Sequence, residues 1–144
     1  MTMKNSLKKV RAAAACAALS SLLLAGCGPG PGPEAELVGV YAVRKEGDGT
    51  LRELVKIERQ GGRYVLRDKV RTPDWSAPKM QLQPVTREGW RRITTDSGDT
   101  PFVGVSSEQL AVFKVPPGWE KNGFRTGTGY FLVYSRGPVE AHKL

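Results

Sequence analysis

From residue 36 onward apolar side chains recur at every second position, and this period narrows the fold more than any other feature of the chain. Leu51, Glu53, Val55 and Ile57 alternate with Arg52, Leu54, Lys56 and Glu58. Tyr64, Leu66 and Val70 share a face that Asp68 interrupts, with Val65 opposite. Met80 and Leu82 flank Gln81, and Leu110, Val112 and Lys114 alternate with Ala111, Phe113 and Val115. Successive side chains of a strand point to opposite faces, so such alternation marks strands with one face buried. The runs are rich in valine and aromatic residues, which suit a pleated surface.

Turn residues separate the runs: Gly47-Asp48-Gly49, Gln60-Gly61-Gly62, Ser97-Gly98-Asp99 and Asn122-Gly123. Glycine and asparagine accept the positive φ that tight turns need. The pattern predicts eight strands, over 37–45, 51–59, 63–71, 80–85, 90–95, 102–106, 109–115 and 129–136. No window of ten or more residues after the leader carries a helical stripe. Short connections favour an antiparallel meander. An all-β domain over residues 36–144 is therefore expected, with a small closed barrel preferred over a two-sheet sandwich, because closure removes exposed edges.

Composition excludes several kinds of chemistry. The 144 residues include 22 Lys+Arg against 14 Asp+Glu, one histidine and two cysteines. Residues 1–26 hold four of the cations and no acid, which leaves 18 against 14 in the remainder. An excess of four is too mild to argue for nucleic acid. With only His142 and no thiol beyond residue 27, no Ser-His-Asp set, Cys-His pair or zinc ligand set can be assembled. No metal, no cofactor and no catalytic residue is expected, and His142 is read as solvated in a tail.

The leader opens with Lys4, Lys8, Lys9 and Arg11 and continues into an apolar run over 12–24, broken only by Ser20 and Ser21. A run of that length makes a helix of about 20 Å, too short to span ~30 Å of hydrocarbon. This is the layout of a secretory signal. It ends in Leu24-Ala25-Gly26-Cys27, which resembles the lipobox of bacterial lipoproteins. The resemblance covers residues 4–27. It implies that a diacylglyceryl group is added to the Cys27 sulfur, that residues 1–26 are removed, and that Cys27 becomes an N-terminus carrying acyl chains such as palmitate. Gly28 stands where an aspartate would favour the inner membrane, so the expectation is an outer-membrane anchor facing the periplasm. Cys16 leaves with the leader and Cys27 is taken by lipid, so the mature domain has no disulfide. Residues 27–35 are read as the lipidated cysteine and a tether, Gly28-Pro29-Gly30-Pro31-Gly32-Pro33, in which neither helix nor strand is expected.

Other segments invite chemistry and resist it. Asp96-Ser97-Gly98-Asp99 sets two acids near one turn and is read as a solvated hairpin turn. Thr126-Gly127-Thr128-Gly129 lacks the lysine and the helix of a phosphate loop and is read as a flexible entry to a strand. Arg67, Lys69 and Arg71 share the outer face of a strand, and Arg87, Arg91 and Arg92 form a second cluster; both groups are read first as solvated surface that discourages edge pairing, with attraction to anionic head groups or an acidic partner beside the anchor as the alternative. Trp90 is assigned to the core. The segments 71–79 and 116–125 place Trp75, Trp119 and Phe124 in long loops, where rings serve either as partner-binding edges or as plugs over the barrel ends.

Gly39-Val40-Tyr41 on the first strand of an eight-stranded meander is similar to the Gly-x-Trp of lipocalin-like proteins. The resemblance implies a hydrophobic ligand cavity, with Arg136 packing over the aromatic ring. Two functions follow as expectations. The first is a non-enzymatic envelope lipoprotein that binds a protein partner through Trp75, Trp119 and Phe124, as an inhibitor, immunity or assembly factor. The alternative is a carrier of a lipid or small apolar molecule.

Overall fold

The computed structural model describes residues 30–144. The leader, the lipobox and Cys27 lie outside the described residues.

A barrel of eight antiparallel strands forms the molecule, and the sandwich is excluded. The strands are β1 (Gly39–Arg44), β2 (Leu51–Gln60), β3 (Arg63–Asp68), β4 (Met80–Pro84), β5 (Val103–Ser106), β6 (Ala111–Lys114), β9 (Tyr130–Tyr134) and β10 (Gly137–Lys143). Between β6 and β9 a two-stranded hairpin, β7 (Glu120–Lys121) and β8 (Phe124–Arg125), stands apart from the barrel sheet. Its turn uses Asn122 at φ 51° and Gly123 at φ 83°, the positive-φ pair that a two-residue hairpin turn requires. Each barrel strand pairs with its predecessor around the ring, and β10 closes on β1 with Tyr41 opposite Lys143 and Ala42 opposite His142. A register shift between Tyr41 and Ala42 leaves Leu54 as the extra residue of β2, a bulge that sharpens the local twist.

Three sequence expectations are corrected. Residues 90–95 are not a strand; helix α1 (Arg87–Thr94) stands there. The Thr86 side chain caps it by accepting from Gly89 N–H, and Trp90, Ile93 and Thr94 recur at helical spacing on its inner side. The missing eighth strand is β10, in the segment read as a tail, so His142 is half-buried in a paired strand. The tether reading also stops short: Pro33 opens a 3-10 helix (Pro33–Leu37), as proline's fixed φ permits at a first helical position.

Register assigns the two faces of the wall. Val105, Val112 and Leu132 lie in one row across β5, β6 and β9, and all are 0 % exposed. They join Tyr41, Ile57, Leu66, Leu82 and Ala141 inside the barrel. An eight-stranded barrel is just wide enough for side chains to fill, and here they do. The next row, Gly104, Phe113 and Phe131, points outward. A Cβ on Gly104 would lie 2.4 Å from the Phe113 ring, so this position admits no side chain unless the ring moves. Trp90 covers that row, and its ring centroid lies 5.2 Å from Phe113, 6.2 Å from Phe131 and 4.5 Å from Phe102. The protein thus has an inner core and an outer aromatic layer between the barrel wall, α1 and the β7–β8 hairpin.

The barrel ends differ. At one end the 3-10 helix inserts Leu37 beneath the interior, and the Tyr41 hydroxyl donates to Leu37 C=O at 2.7 Å. Burial, with Tyr130 adding to it, pushes the Tyr41 phenol well above its usual range. At the other end four turns, 45–50, 69–79, 107–110 and 135–136, form a rim. Arg136 belongs to this rim, about 20 Å of strand from Lys143, which pairs with Tyr41. It therefore cannot pack over Tyr41 as the lipocalin-like resemblance implied.

Candidate functional site

The rim is built from turns that local polar groups hold in place. In the β1–β2 turn the Asp48 carboxylate accepts from Thr50 N–H at 2.8 Å and from its hydroxyl at 2.7 Å, and the Thr50 hydroxyl and amide draw the Asp48 carboxyl below its usual range. The β5–β6 turn is tied by the Ser107 hydroxyl, which accepts from the amides of Gln109 and Leu110 at 3.2 Å each. Small polar side chains bonding to backbone two or three residues on are a standard device of such turns.

The long β3–β4 connection does not cover the mouth. Ser76 returns alongside β3, with its amide on Asp68 C=O at 2.9 Å and its own C=O accepting from Arg67 at 3.1 Å. Trp75 therefore lies on the outer wall, its ring centroid 4.6 Å from the Lys69 ammonium and 5.4 Å from that of Lys56. Beneath it Glu58 binds both Lys56 at 2.6 Å and Arg67 at 2.8 Å. These two cations, Lys56 first, lower the Glu58 carboxyl to about 2. Lys69 pairs with Glu53, and Lys79 pairs with Asp68 at 3.0 Å. Exposed pairs of this kind contribute little stability; here they fix Trp75 flat over a self-neutralised face.

Folding the loop outward leaves its tip uncovered. Val70 is 54 % exposed and Leu51 is 44 % exposed. Arg52 reaches across from β2 toward the carbonyls of Lys69 and Val70, at 3.4 and 3.5 Å. Three grooves meet here. An open groove of about 1300 Å³ runs from Val70 and Arg71 past Leu110 and Tyr134 to Ile93 and Arg92 of α1. A second, of about 560 Å³, shares residues 106–109 with it and follows the edge of β4. A third, of about 460 Å³, shares Val70 and Arg71 and reaches Arg52 and Lys69. Their walls carry Arg52, Lys69, Arg71, Lys79 and Arg92 against Glu53 and Glu108. The β4–β5 seam beneath them is short: Gln83 pairs with Ser106 and Pro84 with Val105, and Val85 N–H donates to Gly104 C=O at 2.8 Å.

Trp119 and Phe124 sit elsewhere. They face each other at 6.3 Å within the outer aromatic layer, and Trp119 stacks on Phe131 at 5.7 Å and 10°. The Trp119 indole donates to the Thr100 hydroxyl at 3.3 Å, and Phe124 is 9 % exposed. Phe124 is buried and Trp119 half-buried in this layer on the barrel's flank, while Trp75 lies on the outer wall of β2 and β3, so the three rings do not form one surface. Val70 and Leu51 are what residue-by-residue reading missed. Their one signal is position: Val70 is an apolar side chain standing past the end of β3, and Leu51 is the first residue of β2.

The Asp96 turn also differs from its reading. It links α1 to β5, and Asp96 is 0 % exposed. Its carboxylate meets the Lys121 ammonium at 2.6 Å and accepts from Gly98 N–H at 2.9 Å and the Trp90 indole at 3.2 Å. Lys121, then Thr100 and the Gly98 amide, hold its carboxyl well below the usual range. Among the described residues no three His, Cys, Asp or Glu side chains are placed to hold a metal ion. Because the folded carboxyl is depressed, its contribution is fully present above the ordinary aspartate value, near pH 4, and is lost progressively as pH falls from there through the depressed folded value. Urea midpoints are therefore expected to hold from pH 7 to about pH 5 and to fall below about pH 4. Asp96→Asn should flatten part of that fall. A variant with the acid limb of the native chain would count against this assignment.

Thr126-Gly127-Thr128-Gly129 is likewise fastened. Glu140 of β10 accepts from Gly127 N–H at 2.6 Å and Thr128 N–H at 2.9 Å. Burial raises the Glu140 carboxyl, and the Thr128 and Gly127 amides outweigh it, leaving it below its usual range.

Compared with family models, with curated proteins and with solved structures, the chain matches none. No helix among the described residues is long and apolar enough to cross a membrane.

Proposed function

We propose that this chain is an envelope lipoprotein, lipidated at Cys27 and held at the outer membrane facing the periplasm, whose barrel binds a protein partner through its rim without catalysis. One observation carries the partner reading. The barrel interior is occupied by its own side chains, so the concave surface lies outside, where Val70 lines the grooves with Arg52 and Arg71; Leu51, next to Arg52 in β2, is exposed as well. A mixed apolar and guanidinium surface in a groove of this size suits an acidic, partly apolar protein segment. An inhibitor, immunity or assembly role is compatible with it.

The carrier reading keeps the support of the meander that closes β10 on β1, with the Tyr41 of Gly39-x-Tyr41 inside. It is disfavoured by Ile57, Val105, Val112 and Leu132, each 0 % exposed across that interior. Photo-crosslinking in intact cells separates the two. A crosslinker at Val70 is expected to yield one adduct of discrete mass, and Arg71→Glu should reduce it about 30-fold or more, as loss of a charge contact buried by the partner does, without moving the melting temperature. A natively folded protein that crosslinks to nothing from Val70 would sink the rim reading. Stoichiometric lipid extracted from the purified domain would put the carrier in its place.

A further inference from the structure

We propose that the end opposite the rim is a docking face for anionic lipid head groups, set by the turn that carries Arg59 and Arg63. This rests on the lipid anchor at Cys27 proposed above. The chain enters the fold at this end, because the 3-10 helix Pro33–Leu37 sits beneath the barrel and β1 starts there at Gly39. Cys27 to Gly32 is six residues, which extend at most about 20 Å. A lipid on Cys27 therefore confines this end to the bilayer surface and directs the rim away from it.

The chemistry of the end matches that position. Arg59 and Arg63 flank Gly61 and Gly62, which take φ of 54° and 80° and make a tight turn projecting from β2 and β3. Both arginines are exposed, and neither forms an ion pair among the described residues. The 3-10 helix at this end carries Glu34 and Glu36, and the connections that leave from the same end carry the exposed acids Glu88, Asp99 and Glu120. Glu36 is spoken for: Lys114 pairs with it and draws its carboxyl below the usual range, while Lys143 donates to its backbone C=O at 2.5 Å. Arg59 lies opposite Tyr64 and Arg63 opposite Gln60, so the two exposed guanidinium groups leave opposite faces of the same turn at this end, with planar donor pairs suited to phosphate oxygens. A basic residue close to an anionic surface strengthens association about fivefold.

The test uses residues 28–144, since the barrel and its outer layer draw the contacts described above from residues 33–144. Vesicles of phosphatidylglycerol and phosphatidylethanolamine, or of phosphatidylcholine alone, are co-sedimented with it. Binding is expected to the first and not to the second. Arg59→Gln should weaken it about fivefold, and Arg59→Gln with Arg63→Gln about 25-fold. Lys45→Gln with Arg136→Gln, an equal charge change at the other end, should leave binding within twofold. Equal weakening by both pairs would reduce the effect to net charge and overturn the docking face. Loss of a concentration-dependent dimer in the Arg59/Arg63 variant would give the face to a second copy and overturn it equally. An unlipidated Cys27 in cells would refute the anchor and leave the vesicle result standing, whereas failure on vesicles would leave the anchor standing.

Discussion

Trp90→Ala is expected to destabilise the domain by about 4 kcal/mol, the upper range for removing a large buried ring. Trp90 is 0 % exposed and lies at the centre of the outer layer, with Phe102, Phe113, Trp119 and Phe131 around it. Four rings around one void cannot collapse into it, because Phe113 is already pressed against Gly104 and Phe131 is held in β9. The substitution also removes the indole donor to Asp96. The loss approaches the whole stability of a domain this size, so the measurement is a urea titration followed by far-ultraviolet circular dichroism at low temperature. Trp90→Phe should retain more than half of the stability. If Trp90→Ala lost less than about 1.5 kcal/mol, below the span for such truncations, the outer layer would be dispensable cladding and the barrel alone would be the folding unit.

Cys27→Ser is expected to abolish incorporation of labelled palmitate and to leave residues 1–26 on the chain. In the scheme that the lipobox resemblance implies, acylation of the sulfur precedes removal of the leader, and serine offers no thiol. Each acyl methylene contributes ~0.8 kcal/mol of membrane affinity, and one chain alone holds only weakly. Two or three chains make a lasting anchor, and the variant loses all of them at once. Intact-mass measurement of the native chain should show Cys27 as the first residue with the acyl increments attached. A native chain that matures without them, or a serine variant processed like the native one, would remove the basis for the membrane assignment and for the orientation drawn from it.

Several parts of the fold were written locally. The alternation in 51–58, 64–66 and 110–115 marked β2, β3 and β6 because a strand's inside and outside are set by neighbours two positions apart. The turn at Asn122-Gly123 was visible, since few other pairs take positive φ twice in succession, but the short strands β7 and β8 on either side of it fell in a segment read as a loop. Helix α1 was missed because its eight residues are shorter than the window in which a stripe stands out, and because its start depends on one side chain, Thr86, accepting from Gly89. Strand β10 was missed because Gly137-Pro138 opens it and charged residues follow. Its partner on the closing side is β1, about a hundred positions earlier. The functional reading shifted in the same way. Trp75, Trp119 and Phe124 look alike in sequence, as rings in loops. Lys56 and Lys69 hold the first against the outer wall, and the other two join the aromatic layer.

The sequence by itself determined an all-β domain and the resemblance of residues 24–27 to a lipid-attachment motif, because each depends on side chains a few positions apart; the expected count of eight strands agreed with the barrel only because the helix at 87–94 and the unforeseen β10 offset each other. Only the tertiary structure decided that the interior is filled, that Asp96 is buried against Lys121 and Trp90, and that Val70 and Leu51 remain uncovered. Those outcomes depend on which surfaces meet when the first strand closes on the last. Such meetings join residues that the chain keeps far apart, and no local pattern of side chains records them.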